Sequence, residues 1–301
     1  MNILAFFKKN SFVLGLLLIF VVAEALVMWW NPLETSRRFG KDDFTKTLYH
    51  HGWSRSGAVF YGNSSVTGAY IEEKSAAKLV EMGLSYGKLT DLQQILQRGL
   101  YSVKDELVIG IDVHTLLDKM ETDYRFPWNK PWYKPYVYAY RADFLDAGKE
   151  LVRNLAFQGS LAYEPRWIDK ELYHGYATED AMTKGWARYE KDYNWMTLKD
   201  MQDNLDALQW VLDDAKEKGI PLRVVWMPFR QDHVKPPYTA AMKQEVNARL
   251  KAADVPVLDL MDRYAPKYFH DLVHLNREEG APLFTKEVDE WLLSLRKPSK
   301  S

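Results

Sequence analysis

Five short apolar segments, separated by stretches with helical spacing, restrict this chain more than any other feature. Ala58-Val59-Phe60-Tyr61 is stopped by Gly62. Lys78 to Met82, Glu106 to Ile111, Leu222 to Met227 and Val255 to Leu260 have the same character. Such segments are too short for buried helices and read as buried strands. Between them, Asp91 to Leu100 carries Leu92, Ile95 and Leu96 at helical spacing. Leu198 to Lys218 carries Met201, Leu205, Leu208 and Val211 on one face and stops at Gly219, a usual helix terminator. A last helix is expected from about Pro282 to Leu295. Strands that alternate with helices predict an α/β domain with a parallel sheet covered on both faces. In such sheets ligands bind beyond the carboxyl ends of the strands.

The second constraint is the run Ser11 to Trp30, SFVLGLLLIFVVAEALVMWW. As a helix it spans roughly 30 Å, about one bilayer core. Glu24 is its one charge. Lys8 and Lys9 precede it, and Trp29 and Trp30 close it where tryptophan favours the membrane interface. Met28-Trp29-Trp30-Asn31-Pro32 offers no small-residue cleavage site, so the run is expected to be an uncleaved transmembrane signal-anchor. Its basic N-terminal flank predicts a single-pass protein of the cell membrane with its domain on the extracytoplasmic side. Glu24 would then either face a protein partner or sit in the membrane as the neutral acid. The expected organisation is a cytoplasmic tip and anchor over 1–31, a polar stalk over 32–55 that contains His50-His51, and a domain over 56–301.

Residues 123–195 interrupt the alternation. Tyr124, Phe126, Trp128, Trp132, Tyr133, Tyr136, Tyr138 and Tyr140 are interleaved with Pro127, Pro131 and Pro135. Trp167, Tyr173, Tyr176, Trp186, Tyr189, Tyr193 and Trp195 follow. This stretch is read as an aromatic-rich insertion capping the site. Its rings would stack on sugars or a membrane interface, or fill the cap's own small core. The chain has 40 basic and 41 acidic residues, so its balance gives no reason to expect a nucleic-acid partner. It has no cysteine, which excludes a thiol nucleophile and thiolate metal sites.

Chemistry is concentrated at two places. Gly62-Asn63-Ser64-Ser65 follows the first strand, and Asp271-Leu272-Val273-His274 follows the fifth. A serine hydroxyl becomes a nucleophile when a base removes its proton, and an aspartate can orient that base. Ser64 is the expected nucleophile, with Ser65 its neighbour and alternative. His274 is the expected base, Asp271 its orienting partner, and His270 the nearby competitor. Asp232-His233 follows the fourth strand and is read as a surface loop, with a contribution to the acceptor pocket as the alternative. Asp112-Val113-His114 has two groups that bind metals, but no third ligand is evident nearby, so neither metal nor cofactor is assigned.

With these blocks in this order, the chain resembles the SGNH (GDSL-like) hydrolases. Within that superfamily it is similar to the membrane-anchored DltD-type proteins over roughly residues 55–295 plus the anchor. The resemblance implies a flavodoxin-like three-layer fold. It also implies an extracytoplasmic O-acyltransferase that passes acetyl or D-alanyl through a serine acyl-enzyme to a cell-surface glycan or teichoic acid. A membrane-bound O-acyltransferase would be its partner and acyl donor. An esterase acting on the same polymers, or a glycan-binding scaffold, are the other readings. Gly62-Asn63-Ser64 stands for the nucleophile block and Asp271 to His274 for the Asp-x-x-His block. Gly83-Leu84-Ser85-Tyr86-Gly87 stands for the block whose glycine amide binds the oxyanion, so the backbone amides of Ser64, Gly87 and Gly83 are the expected donors. Met227-Pro228-Phe229 resembles the end of the fourth strand. Asp112 stands where the hydrolases place an asparagine, and an ionised aspartate cannot donate to an oxyanion.

Overall fold

The five apolar segments form one parallel sheet in the order β2-β1-β3-β4-β5. Its strands are β1 Ser56–Gly62, β2 Val80–Gly83, β3 Ser102–Ile111, β4 Leu222–Trp226 and β5 Val257–Asp259. The computed structural model describes residues 9–30, 42–129 and 178–296, together with scattered positions between 145 and 175. Two compact units contain them. One lies within Met1–Tyr49 and Tyr124–Asp169, the other within His50–Asp123 and Lys170–Ser301.

The second unit contains the sheet. Its helices are α3 Ser64–Ala69, α4 Leu89–Gln97, α5 Glu179–Asp192, α6 Gln202–Glu217, α7 Thr239–Ala252 and α8 Gly280–Arg296. Register aligns Phe60 with Val108, and Val59 and Tyr61 with Leu107 and Ile109. Alternation along each strand therefore divides the apolar side chains between two faces. Phe60, Val108 and Val225 join Val66 and Ala69 of α3 and Phe284, Val288 and Leu292 of α8 in one core. On the other face Tyr61 donates to Lys88 O (2.6 Å) at the start of α4, and Trp226 Nε1 donates to Asn247 Oδ1 (2.9 Å) on α7. Leu92 and Ile95 of α4 and Leu205, Leu208 and Val211 of α6 are buried. Strand order and helix placement are consistent with a flavodoxin-like fold.

Several boundaries have local causes. Gly219, at φ +66°, closes α6, with Ile220 N–H donating back to Ala215 O at 2.8 Å. A Cβ on Gly110 would lie 2.4 Å from Val66 Cγ2, so α3 rests on the sheet end closely enough to exclude a side chain there. Residues 198–201 form a separate 3₁₀ turn before α6, and β5 is shorter than the expected strand. Helix α7 was not among the expected helices.

In the first unit, α1 Ser11–Trp30 is a 20-residue helix. Phe12, Leu18, Ile19, Phe20 and Leu26 are exposed, whereas Glu24 is buried, so its carboxylate is not offered on an open face. The side chains of α1 are described without a break only over 11–26. Among the described residues no helix is long and apolar enough to cross a membrane. Within the expected stalk, Asp43–His50 forms helix α2. Asp42 caps it, accepting from Thr45 N and Thr45 Oγ1 at 2.9 and 2.8 Å. Phe44 of α2 meets Trp128 edge to face, with centroids 5.4 Å apart. The tip 1–8, stalk residues 32–41 and much of the aromatic insertion, including Trp132, Tyr133, Tyr136, Tyr138, Tyr140, Trp167, Tyr173 and Tyr176, lie outside the described residues.

Candidate active site

In the order 2-1-3-4-5 the chain reverses direction across the sheet between β1 and β3, so the loops after these strands diverge and leave a crevice. Ser64 stands there, one residue after Asn63, the N-cap of α3. Asn63 Oδ1 accepts from Ser65 N (2.9 Å) and Ser65 Oγ (2.7 Å). The cap thus consumes the Ser65 hydroxyl and leaves that of Ser64 for other work.

Asp271 and His274 arrive on the long connection from β5 to α8. Arg230 N–H, just past β4, donates to Leu272 O at 2.9 Å and ties this connection to the sheet end. Asn276 fixes its exit. Its Nδ2 donates to Lys267 O at 2.8 Å, and its Oδ1 accepts from Glu279 N and Gly280 N, both at 3.0 Å. Asp271 Oδ1 accepts from Val273 N (2.9 Å) and His274 N (2.8 Å), which folds the four-residue turn around the carboxylate. Its Oδ2 lies 2.7 Å from His274 Nδ1, and His274 Nε2 lies 2.9 Å from Ser64 Oγ. One hydrogen-bonded series thus joins Asp271, His274 and Ser64.

The electrostatics favour the charge states that series needs. Burial opposes ionisation of Asp271, but the charge and hydrogen bond of His274 and the two backbone N–H groups hold its carboxyl well below the usual carboxylate range. Burial alone would lower the pKa of His274. The charge and hydrogen bond of Asp271, aided by the charge of Asp112, instead raise it above the ordinary 6.5. The imidazolium formed when His274 takes a proton is therefore stabilised, and a serine so arranged can attack an acyl carbon.

A cavity of about 210 Å³ opens onto the series. It is lined by Ser64, His274, Tyr86, Asp112, Arg188 and Tyr189, among others. Gly185, Arg188 and Tyr189 belong to α5, so the C-terminal part of the aromatic-rich stretch forms one cavity wall. Tyr86 adopts φ +57°, a left-handed conformation uncommon for a bulky residue, at the cavity edge.

Comparison with models of known families gives no match, and comparison with curated proteins gives none either.

The expected oxyanion donors need correction. Gly87 N–H donates to Leu84 O at 2.8 Å, and Gly83 N–H donates to Glu81 Oε1 at 2.5 Å. Both amides are spent on acceptors two or three residues back in the chain. Close packing accounts for these glycines instead: a Cβ on Gly83 would lie 2.1 Å from Thr67 Oγ1, and one on Gly87 3.0 Å from Gly62 O. The Ser64 amide begins α3, and among the described residues nothing accepts from it.

Asp112 is buried after β3, and its Oδ1 accepts from His114 N, Thr115 N and Thr115 Oγ1 at 2.8–2.9 Å. Burial opposes its ionisation, but His114, Asn63 and the backbone hold it well below the usual range. His270 turns away, its Nδ1 2.8 Å from Gly175 O. Asp232 and His233 line a different cavity with Arg230 and Lys267. Met120 and Arg188 also line the cavity and no motif in the sequence marks them, whereas Tyr189 belongs to the aromatic-rich stretch expected to cap the site. Three or more His, Asp or Glu side chains in metal-binding proximity are not found among the described residues.

Proposed function

We propose that this chain is a serine-dependent O-acyltransferase of SGNH type that passes an acetyl or D-alanyl group through Ser64 to a hydroxyl of a cell-surface glycan or teichoic acid. The observation that carries the proposal is the series Ser64 Oγ–His274 Nε2, His274 Nδ1–Asp271 Oδ2, at 2.9 and 2.7 Å. In the first half-reaction Ser64 Oγ bonds to the acyl carbon while His274 takes its proton. The bond from that carbon to the donor oxygen then breaks, and His274 gives the proton to the leaving oxygen. In the second half the acceptor hydroxyl gives its proton to His274 and attacks the acyl carbon. The bond to Ser64 Oγ breaks, and the proton returns to Ser64. Water in the acceptor's place would make the same residues an esterase.

The three-layer SGNH reading is supported by the strand order and by the nucleophile and Asp-x-x-His blocks. A place in the cell membrane, with the domain extracytoplasmic, rests on the apolar sequence Ser11 to Trp30, which forms α1, and on the basic flank Lys8-Lys9 before it. The 20 residues of α1 span roughly 30 Å, and most of its apolar side chains face outward. The membrane-bound O-acyltransferase as donor partner rests on the family resemblance.

The test is to incubate the full-length protein in detergent with an activated acetyl ester, with and without glycan or teichoic acid oligomers. Ser64-dependent acyl polymer is the expected product. Free acid alone would make the protein a hydrolase. Polymer acylation that persists in Ser64→Ala would overturn the mechanism. If Ser64 in folded protein fails to label with a fluorophosphonate, a non-catalytic scaffold is favoured.

A further inference from the structure

The cavity at Ser64 contains a second imidazole with no task in the series above. His114 lines it together with Ser64, Asp112 and His274. It is only 5% exposed, and among the described residues its Nε2 has no hydrogen-bond partner. Its Nδ1 lies 3.8 Å from Asp112 Oδ2. Its ring rests against Tyr189 and Tyr193, with centroids 4.5 and 5.2 Å away. The ring is therefore fixed on several sides, and one polar atom is left unused. A buried nitrogen without a partner is rare and bears its full desolvation cost. In the wall of a reaction cavity, that cost is recovered when a substrate supplies the partner.

The neighbours specify which partner. The Asp112 carboxylate has no hydrogen to donate and would repel an oxyanion. The Gly83 and Gly87 amides are spent, which leaves the Ser64 amide alone of the three expected backbone donors. At 3.8 Å the Asp112 carboxylate lies beyond hydrogen-bond distance of Nδ1, so no bond ties the ring proton there, and the neutral imidazole can carry it on Nε2. Nε2–H is then an oriented donor fixed in the cavity wall, the arrangement that stabilises charge developing on a reacting oxygen.

We infer that His114 Nε2–H donates a hydrogen bond to the carbonyl oxygen of the acyl group as Ser64 attacks, replacing the donor that Asp112 cannot be. The inference rests on the acyl-transfer reading of Ser64 and adds to it a second histidine. No bond to His114 forms or breaks. Its proton stays on Nε2, and His274 alone moves a proton between oxygens.

The experiment measures acylation kinetics of the full-length protein in detergent with p-nitrophenyl acetate, with unfolding temperatures recorded for every variant. His114→Ala should lower kcat by about 100- to 1,000-fold with KM nearly unchanged. His114→Phe keeps the ring stack but has no N–H, and should be as slow. His114→Gln restores a donor of similar reach and should recover about tenfold or more. Adding Asp112→Asn to His114→Ala should also recover rate, because it removes the carboxylate charge and supplies an amide donor at residue 112. Wild-type kcat in His114→Phe would overturn the inference. So would a Gln variant as slow as the Ala variant while unfolding at the wild-type temperature. If wild type and Ser64→Ala acylate equally slowly, the acyl-transfer reading itself fails, and this inference falls with it.

Discussion

Replacing Asp271 by asparagine isolates the electrostatic half of the proposed mechanism from its geometry. An asparagine Oδ1 can still accept from Val273 N and His274 N, so the turn that carries His274 is kept. What changes lies at 2.7 Å from His274 Nδ1, where a carboxylate oxygen becomes an amide NH₂. Two donors cannot share one hydrogen bond, so the imidazole must present a lone pair to the amide and turn its N–H toward Ser64. His274 then cannot accept the serine proton. The imidazolium also loses a neighbouring negative charge, an interaction of about 4 kcal/mol at 4 Å for an effective dielectric near 20. Together with the tautomer cost this predicts a fall in kcat of about 10⁴, equivalent to about 5.5 kcal/mol. The assay is ester acylation by the full-length protein with unfolding measured in parallel, where a change of no more than about 1 kcal/mol is expected. An Asp271→Asn protein that acylates at the wild-type rate would refute the role given to Asp271.

Three further outcomes are expected. The acid limb of kcat/KM should have its midpoint above 6.5, because neutral His274 is the required base and its pKa is raised, and Asp271→Asn should move that limb down. Asp112 and Asp271 are depressed in the folded state, so they stabilise it above about pH 4. That contribution should fade as pH drops further through their folded pKa values, as acid unfolding curves of the single Asn variants would show. Ser65→Ala should keep wild-type kcat and lose about 1 kcal/mol of stability, since its hydroxyl serves only the Asn63 cap; a large fall in kcat would return Ser65 as the nucleophile. Asn276→Ala removes three hydrogen bonds from a fully buried side chain and should cost about 2–4 kcal/mol in denaturant unfolding, whereas a loss under about 1 kcal/mol would contradict its bracing role.

The sheet was legible because the C-terminal parts of β1, β3 and β4 are buried on both faces, so Val59 to Tyr61, Leu107 to Ile111 and Val224 to Trp226 read as apolar runs. Helix α7 was not. Its buried positions Thr239, Met242, Val246 and Leu250 follow helical spacing, but alanines and charged residues dilute the contrast between its faces. Ser64, Asp271 and His274 were legible as blocks, and the structure brings their side chains together. The glycine amides were misjudged because a sequence shows a glycine but not the acceptor of its N–H, here Leu84 O and the Glu81 carboxylate. His114 was visible only as part of a possible metal pair. Its meaning depends on an unmet hydrogen bond, which spacing does not encode. Arg188 and Tyr189 reach the cavity from α5, far from either block in the chain.

The central claim is that Ser64 carries the acyl group. The most direct measurement is mass spectrometry of the full-length protein, quenched in acid during turnover of an acetyl ester and digested. One acetyl group on the peptide that contains Ser64, absent from Ser64→Ala and chased off by an acceptor glycan, is the predicted result. Acylated product formed while Ser64 remains unmodified at every quench time, in protein whose turnover survives Ser64→Ala, would contradict the account.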